Sequence, residues 1–466
     1  MVSRTVADAE AAKISNAIDE QLRQERIANA RRKPREVKVL LLGQAESGKS
    51  TLQKQFQLYY ASSTLERERP FWRPIVYFNI LKAIRMILDE LDFHYPQIAT
   101  SYHPPTAGSS LSSPVPPSTA SSAGNVFTYY PPSIAHSSRS VSNPDPTWFS
   151  ELAYLRHKLL PLVASEDALA SELSGGVNVT GGKSGVYVRA GWQALVTPTR
   201  AWPLADVKST TPRPNTVTLI VAKTLAASQY EIYDLWKHSA VRALLHSNKL
   251  HLEESAAFLL ESIHRVSEPD YSPTNEDILH VRLQTLGVTE HTFDISMGGV
   301  QWHWIMYDVG GARGQRPAWA QFFDDARAII FLAPISAFDQ YLEEDPRTNR
   351  IDDSLQLFTS ICSNKLLQKA ALVLMLNKTD LLRQKLQAGI KVRKYISSYG
   401  DRPNSYEEVS EYFRAHFIQV QKRKDSAHRS LYVHFTSMLD IRATQHIIVN
   451  VGEAIMRLHM ADVGLA

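Results

Sequence analysis

With 466 residues, 44% of them apolar, and a formal charge of +4, the chain is long enough for two or three packed units and too near neutral for bulk attraction to nucleic acid. Its single cysteine, Cys362, excludes an internal disulfide framework and fits a reducing compartment. No apolar run approaches the ~20 residues that span a bilayer, and the polar N-terminus is no signal peptide, so a soluble intracellular protein is expected.

Residues 1–36 read as an amphipathic helix, with Ala7, Ala11, Ile14, Ile18 and Leu22 at spacings of three and four among charged residues. So narrow a stripe suits a partner surface; docking on the chain's own domain is the alternative. The helix should stop at the basic run Arg31-Arg32-Lys33-Pro34-Arg35, where proline breaks it. Residues 37–42 then read as a buried strand. Between about 67 and 277 the pattern is helical, over 77–93, 148–164 and 224–266, with no strong strand series. Two stretches have too little apolar surface to offset ordering entropy: 101–147, rich in Ser and Pro, and 174–215, rich in Gly, Thr and Pro. Both are expected to be mobile loops. Further on, apolar runs of strand length at 302–307, 328–332, 371–376 and 431–435 alternate with helical patterns and predict parallel βαβ units.

The first strand leads directly into Gly43-Gln44-Ala45-Glu46-Ser47-Gly48-Lys49-Ser50-Thr51, which opens a helical segment over 52–58. This is the pattern G-x-x-x-x-G-K-[ST] in its required strand–loop–helix context. Glycines let backbone N–H groups converge on phosphates, and the helix N-terminus adds partial positive charge. Lys49 is expected to reach the β and γ phosphates, and the Ser50 hydroxyl to bind Mg²⁺. Asn377-Lys378-Thr379-Asp380 follows a buried strand at its C-terminal end, where parallel sheets place ligand contacts. An aspartate there accepts from guanine N1 and N2; adenine has no such donor pair and would leave the charge unpaired.

On these residues, and on Asp277-Ile278-Leu279-His280-Val281-Arg282-Leu283-Gln284-Thr285-Leu286-Gly287, Asp308-Val309-Gly310-Gly311 through Trp319, and Phe435-Thr436-Ser437, the sequence resembles the α subunits of heterotrimeric G proteins. The resemblance covers most of the chain. It implies an α/β fold: a Ras-like P-loop GTPase domain (37–66 and 283–466) interrupted by an all-helical domain (67–282), with 101–147 and 174–215 as insertions that have no counterpart.

The resemblance also implies roles. Arg282 matches the internal arginine that neutralises charge on the transferred phosphoryl group, a contribution worth ~10³–10⁵ in rate in this class generally. Lys49 shares the catalytic work. Ser50, Thr285 and Asp308 are the expected Mg²⁺ ligands, Asp308 through water. Phosphate contacts are expected from Glu46, Ser47, Gly48 and Thr51, and from Gly310 and Gly311, whose backbone senses the γ phosphate. Ser255, Leu279 and His280 are expected on the helical side of the nucleotide. Asn377, Lys378, Asp380 and the Met438 backbone are expected at the guanine.

Several positions depart from the family pattern. Ala312 stands where the family has the glutamine that orients the attacking water, and Ala45 replaces a glycine of the phosphate loop. Both should slow turnover; Gln315, three residues on, is a weak substitute. The segment Gly314-Gln315-Arg316-Pro317-Ala318 lacks the paired lysines that the family presents to its βγ partner, while Trp319 and Phe323 remain as apolar anchors. The start Met1-Val2-Ser3 encodes neither myristoylation nor palmitoylation. The expected function is a slow GTPase switch that binds GTP or GDP with Mg²⁺ and controls a βγ dimer, a seven-helix receptor and an effector. It would sit in the cytoplasm, on the inner face of the plasma membrane only through those partners. The alternative is a GTP-bound interaction protein with negligible hydrolysis.

Overall fold

The computed structural model of the chain describes residues 35–96, 98, 146–174, 187–188, 216–247, 249–285, 287–297 and 299–462. The expected N-terminal helix and most of the two expected insertions lie outside these residues.

Strand β1, Glu36–Gly43, lies at the middle of a six-stranded sheet. Short strands β2, Tyr187–Val188, and β3, Gln284–Thr285, pair with each other in parallel apart from it. The other sheet members are β4, Val288–Met297, β5, Val300–Val309, β6, Ala328–Pro334, β7, Ala371–Asn377, and β8, Leu431–Phe435. The spatial order is β4-β5-β1-β6-β7-β8. β1 pairs in parallel with β5 on one side and β6 on the other, so the order reverses at β1. In open α/β sheets such a reversal leaves a crevice at the carboxyl ends of the strands.

The sequence-predicted strands are present; within the six-stranded sheet the sequence does not predict β4, which joins β5 in an antiparallel hairpin. β6 and β7 are buried along their whole length, which is why they read as unbroken apolar runs. β4 is an edge strand whose buried positions alternate at Phe293 and Ile295.

The sheet carries a core on each face. Val37, Val39 and Leu41 pack with Leu52 and Phe56 of helix α1, Lys49–Tyr60, and with Ile448, Val451 and Ile455. Leu40 and Leu42 point the other way, towards Trp319, Phe338, Phe358 and Phe417. Phe358 belongs to the helix Arg350–Ser363, and Phe417 to Tyr406–Lys424.

A third core is made only of helices. Its spine is the 33-residue helix α2, Ser62–His94, which contains Pro70 and Pro74. The sequence reading began this helix after the prolines; burial of Leu65, Trp72 and Ile75 offsets the backbone bonds that the prolines cannot make. The stretch 224–266, read as one helical pattern, is part of a series of five helices: Thr216–Ala227, Gln229–Lys237, Ser239–His246, Glu254–Glu261 and Ile263–Val266. Tyr187–Val188, inside a segment expected to be a mobile loop, forms the β2 pairing. Among the described residues no helix is long and apolar enough to cross a membrane.

Candidate functional site

The loop between β1 and α1 wraps the carboxyl end of the central strand. Gly48 is the α1 N-cap at φ 100°, a left-handed conformation that side chains resist, and no side chain caps the helix. Its first N–H groups therefore remain available to an anion. A methyl on Gly48 would strike Asn377, and one on Gly311 would strike the backbone of Gln44 and Ala45. The segment after β5 thus meets the loop at backbone distance, and β7 meets it through the Asn377 side chain.

Lys49 is buried and donates from Nζ to the carbonyl oxygens of Gly43 (2.9 Å) and Gln44 (2.6 Å). Burial pushes its ammonium down to about 8, assisted by Arg316 and Arg350 and opposed by Asp308. Ser50 Oγ donates to Asp308 Oδ2 at 2.6 Å. Two expected metal ligands from different elements are therefore in direct contact, and both are oxygen donors of the kind Mg²⁺ prefers. The Ser47 hydroxyl is buried with no hydrogen-bond partner, as a phosphate acceptor would require. The residues present fit a Mg²⁺–phosphate group.

The expected base contacts are knitted to the same loop. Asn377 Nδ2 donates to the Ser47 carbonyl (2.8 Å), and its Oδ1 accepts from Thr436 Oγ1 (3.1 Å). Gln55 Nε2 donates to the Met438 carbonyl (2.8 Å). Lys378 adopts φ 65° as N-cap of Thr379–Gln387, which puts half-buried Asp380 in the first turn of that helix. Thr51 is half-buried in the first turn of α1.

Arg282 follows the short helix Asn275–His280, which begins with a capping box between Thr274 and Asp277. Asp277 is fully buried and accepts from Arg265 at 2.8 and 2.7 Å and from Tyr271 at 2.9 Å. Asn79 then holds the Arg282 backbone from both sides, accepting from its N–H (3.0 Å) and donating to its carbonyl (3.2 Å). Lys54, which burial pushes down to about 7, donates to the carbonyls of Ile278 (2.7 Å) and Val281 (2.9 Å). So fixed, Arg282 donates from Nη2 to Glu46 Oε1 at 2.6 Å, and Arg350 donates from Nη1 to Glu46 Oε2 at 2.9 Å. Burial opposes ionisation of Glu46, but Arg350, Arg282 and Lys378 hold its carboxyl at about 2.

Ser255 is buried in the first turn of Glu254–Glu261. His280 is stacked on Phe258 of that helix, with ring centroids 3.8 Å apart, and Leu279 is buried beside it in sequence. Thr285 lies in β3, paired with Val188.

On the opposite side of the loop, Gly310 N–H donates to the Gly287 carbonyl (2.8 Å), and Trp319 Nε1 donates to the Gly310 carbonyl (3.0 Å). Ala312 precedes the turn of helix Arg313–Phe322, and its carbonyl accepts from the Gln315 N–H (2.9 Å). Sequence reasoning missed a buried hub here. Asp353 accepts from Arg316 (3.0 and 2.6 Å), Arg313 (3.1 Å) and Gln44 Nε2 (2.5 Å), while Arg316 Nε reaches the Gly311 carbonyl (3.3 Å). A signal was present: Asp353 sits four residues before Leu357 and eight before Ile361, an acid on the apolar stripe of its helix.

Residues 12–455 match the family model described as G-protein alpha subunit. The chain is 34% identical to guanine nucleotide-binding protein alpha-4 subunit of Mycosarcoma maydis, an alignment covering 93% of this chain and 84% of that one. It is 27% identical to guanine nucleotide-binding protein alpha-1 subunit of the same organism, covering 97% and 96%.

Proposed function

Because the chain belongs to the G-protein alpha-subunit family, of guanine-nucleotide-binding signalling GTPases with a Ras-like domain and a helical domain, we propose that it is a slow GTPase switch. It hydrolyses GTP to GDP and phosphate and uses the bound nucleotide to control a βγ dimer, a receptor and an effector. Its attachment to the plasma membrane runs through those partners. The Ras-like domain is assigned to 37–66 and 283–466, and the helical domain to 67–282.

The observation that carries this reading is the 2.6 Å approach of Ser50 Oγ to Asp308 Oδ2 beside the loop that Lys49 closes. Ser50, Thr285 and Asp308 would hold Mg²⁺, Asp308 through water. When bound, Mg²⁺ would supply neutralisation of phosphate charge there. Loop N–H groups and the Lys49 ammonium bind the phosphates, with Glu46, Ser47, Gly48, Thr51, Gly310 and Gly311 around them. Ser255, Leu279 and His280 border the nucleotide from the helical side. Asp380, with Asn377, Lys378 and the Met438 backbone, selects guanine. Arg282 neutralises the charge that develops on the transferred group, and its two-sided grip by Asn79 pre-organises it for that role.

The attacking water is what lacks support. Ala312 offers only a methyl group, and the Ala45 methyl crowds the same loop, so nucleophile positioning is unassisted. Single-turnover hydrolysis measured beside nucleotide exchange tests the reading: slow but Arg282-dependent turnover is expected. A rate no higher than for free GTP would establish instead the alternative of a GTP-bound interaction protein, which Ala45 and Ala312 favour.

A further inference from the structure

Glu253 is the N-cap of helix Glu254–Glu261, the position at which a side chain ordinarily turns back to the helix N–H groups. It makes no such bond. Its Oε1 instead takes Arg282 Nη1 at 3.1 Å and also pairs with the Lys82 ammonium from α2. Both Lys82 and Glu253 are largely shielded, with side-chain exposures of 11% and 17%. The pairing extends a chain of alternating charges: Arg350, Glu46, Arg282, Glu253, Lys82. Arg282 thereby has one nitrogen committed to a carboxylate from the phosphate loop and another to a carboxylate from the helical unit.

An arginine stabilises a developing phosphoryl charge through N–H donors and net positive field. Both are drawn down here. Nη1 is held in an ion pair with Glu253, and the Glu253 charge opposes the field of the guanidinium in a site only partly screened by water.

We propose that Glu253 is a positioning residue that restrains Arg282, so that the helical unit itself lowers the rate of GTP hydrolysis. This inference rests on the reading of Arg282 as the charge-neutralising arginine. Releasing the restraint hands Nη1 back to the phosphoryl oxygens while Glu46 still orients the guanidinium through Nη2.

The test is single-turnover hydrolysis of Mg·GTP by the full chain carrying Glu253→Gln. A roughly three- to tenfold faster rate is expected from removing one nearby charge in a partly screened site. In a chain already carrying Arg282→Ala, the same substitution should change nothing. A readout besides turnover is the affinity for Mg²⁺, GDP and aluminium fluoride together, which mimic the transferring group; it should tighten by a similar factor, again only with Arg282 present. Because Glu253→Gln leaves Lys82 without its carboxylate, the pair Glu253→Gln with Lys82→Met keeps the net charge of the site unchanged and should also hydrolyse faster. An unchanged or slower rate in both variants overturns the inference, as does a gain that survives Arg282→Ala. If Arg282→Ala by itself leaves hydrolysis unaltered, the functional reading of the arginine falls, and this inference with it.

Discussion

The loop after β1 and the segment after β5 meet at the carboxyl ends of the central strands, yet they are built differently. In the loop, Lys49 closes onto Gly43 and Gln44, Asn377 ties Ser47 to the base-side strands, and Gln55 ties Met438 to α1. In the segment, Arg313 and Arg316 are clamped on Asp353, while Ala312, nearest the expected chemistry, contributes a backbone carbonyl to a turn. Holding a nucleotide requires converging donors, which the first region supplies. Hydrolysing it requires an oriented water, for which Ala312 offers only a methyl group. On the proposed reading, affinity and turnover are separable properties of this site.

Three substitutions probe the two regions. Lys49→Ala removes a buried cation from the holding side, and Mg·GTP binding should weaken by at least about 100-fold, as for loss of one member of a buried charged contact. Calorimetric titration measures it; retention of tight binding would move the phosphate site elsewhere. Asp380→Asn acts on the same side and should exchange base preference. Xanthine nucleotide should outcompete GTP by about tenfold or more, because the proposed acceptor for guanine N1 and N2 is lost, and competition against a fluorescent GDP reads this directly. Asp353→Asn strikes the switch side. It weakens a buried carboxylate that accepts four hydrogen bonds and should lower stability by about 2 kcal/mol, seen as a lower urea midpoint. Base preference should stay as it was; a change there would show that the two regions are not separable.

How much of this was legible in the sequence follows from burial and distance along the chain. β1, β6 and β7 were readable because strands covered on both faces are continuous apolar runs, and β8, half-buried at the other edge, still carries four apolar residues in five. β4 was not, since an edge strand buries only alternate side chains, and its hairpin turn at Gly299 (φ 74°) carries the stronger signal. The interior of α2 was readable and its start was not, because tertiary burial of Trp72 and Ile75 overrides what Pro70 and Pro74 say locally.

At the site, the residues whose chemistry is local stood out: a glycine loop with its lysine, and an aspartate after a strand. Gln44 and Asp353 meet across 309 positions, and Glu253 leaves its own helix cap for Arg282. Such pairings have no local pattern: the first forms because the helix Arg350–Ser363 packs on the sheet, the second because the helical unit comes up against the phosphate loop.

We propose that this GTPase lacks the water-positioning amide and keeps its nucleotide grip. Single-turnover GTP hydrolysis by Ala312→Gln, alone and with Ala45→Gly, is the decisive measurement. The account predicts acceleration by about tenfold or more, since one well-placed donor is worth ~10²–10³ where it is already optimised. GTP affinity should stay within a few-fold, and Arg282→Ala should remove most of the gain. Neighbouring sites couple, so the two substitutions need not add. Hydrolysis no faster than in the natural chain, with nucleotide still bound, would contradict the account.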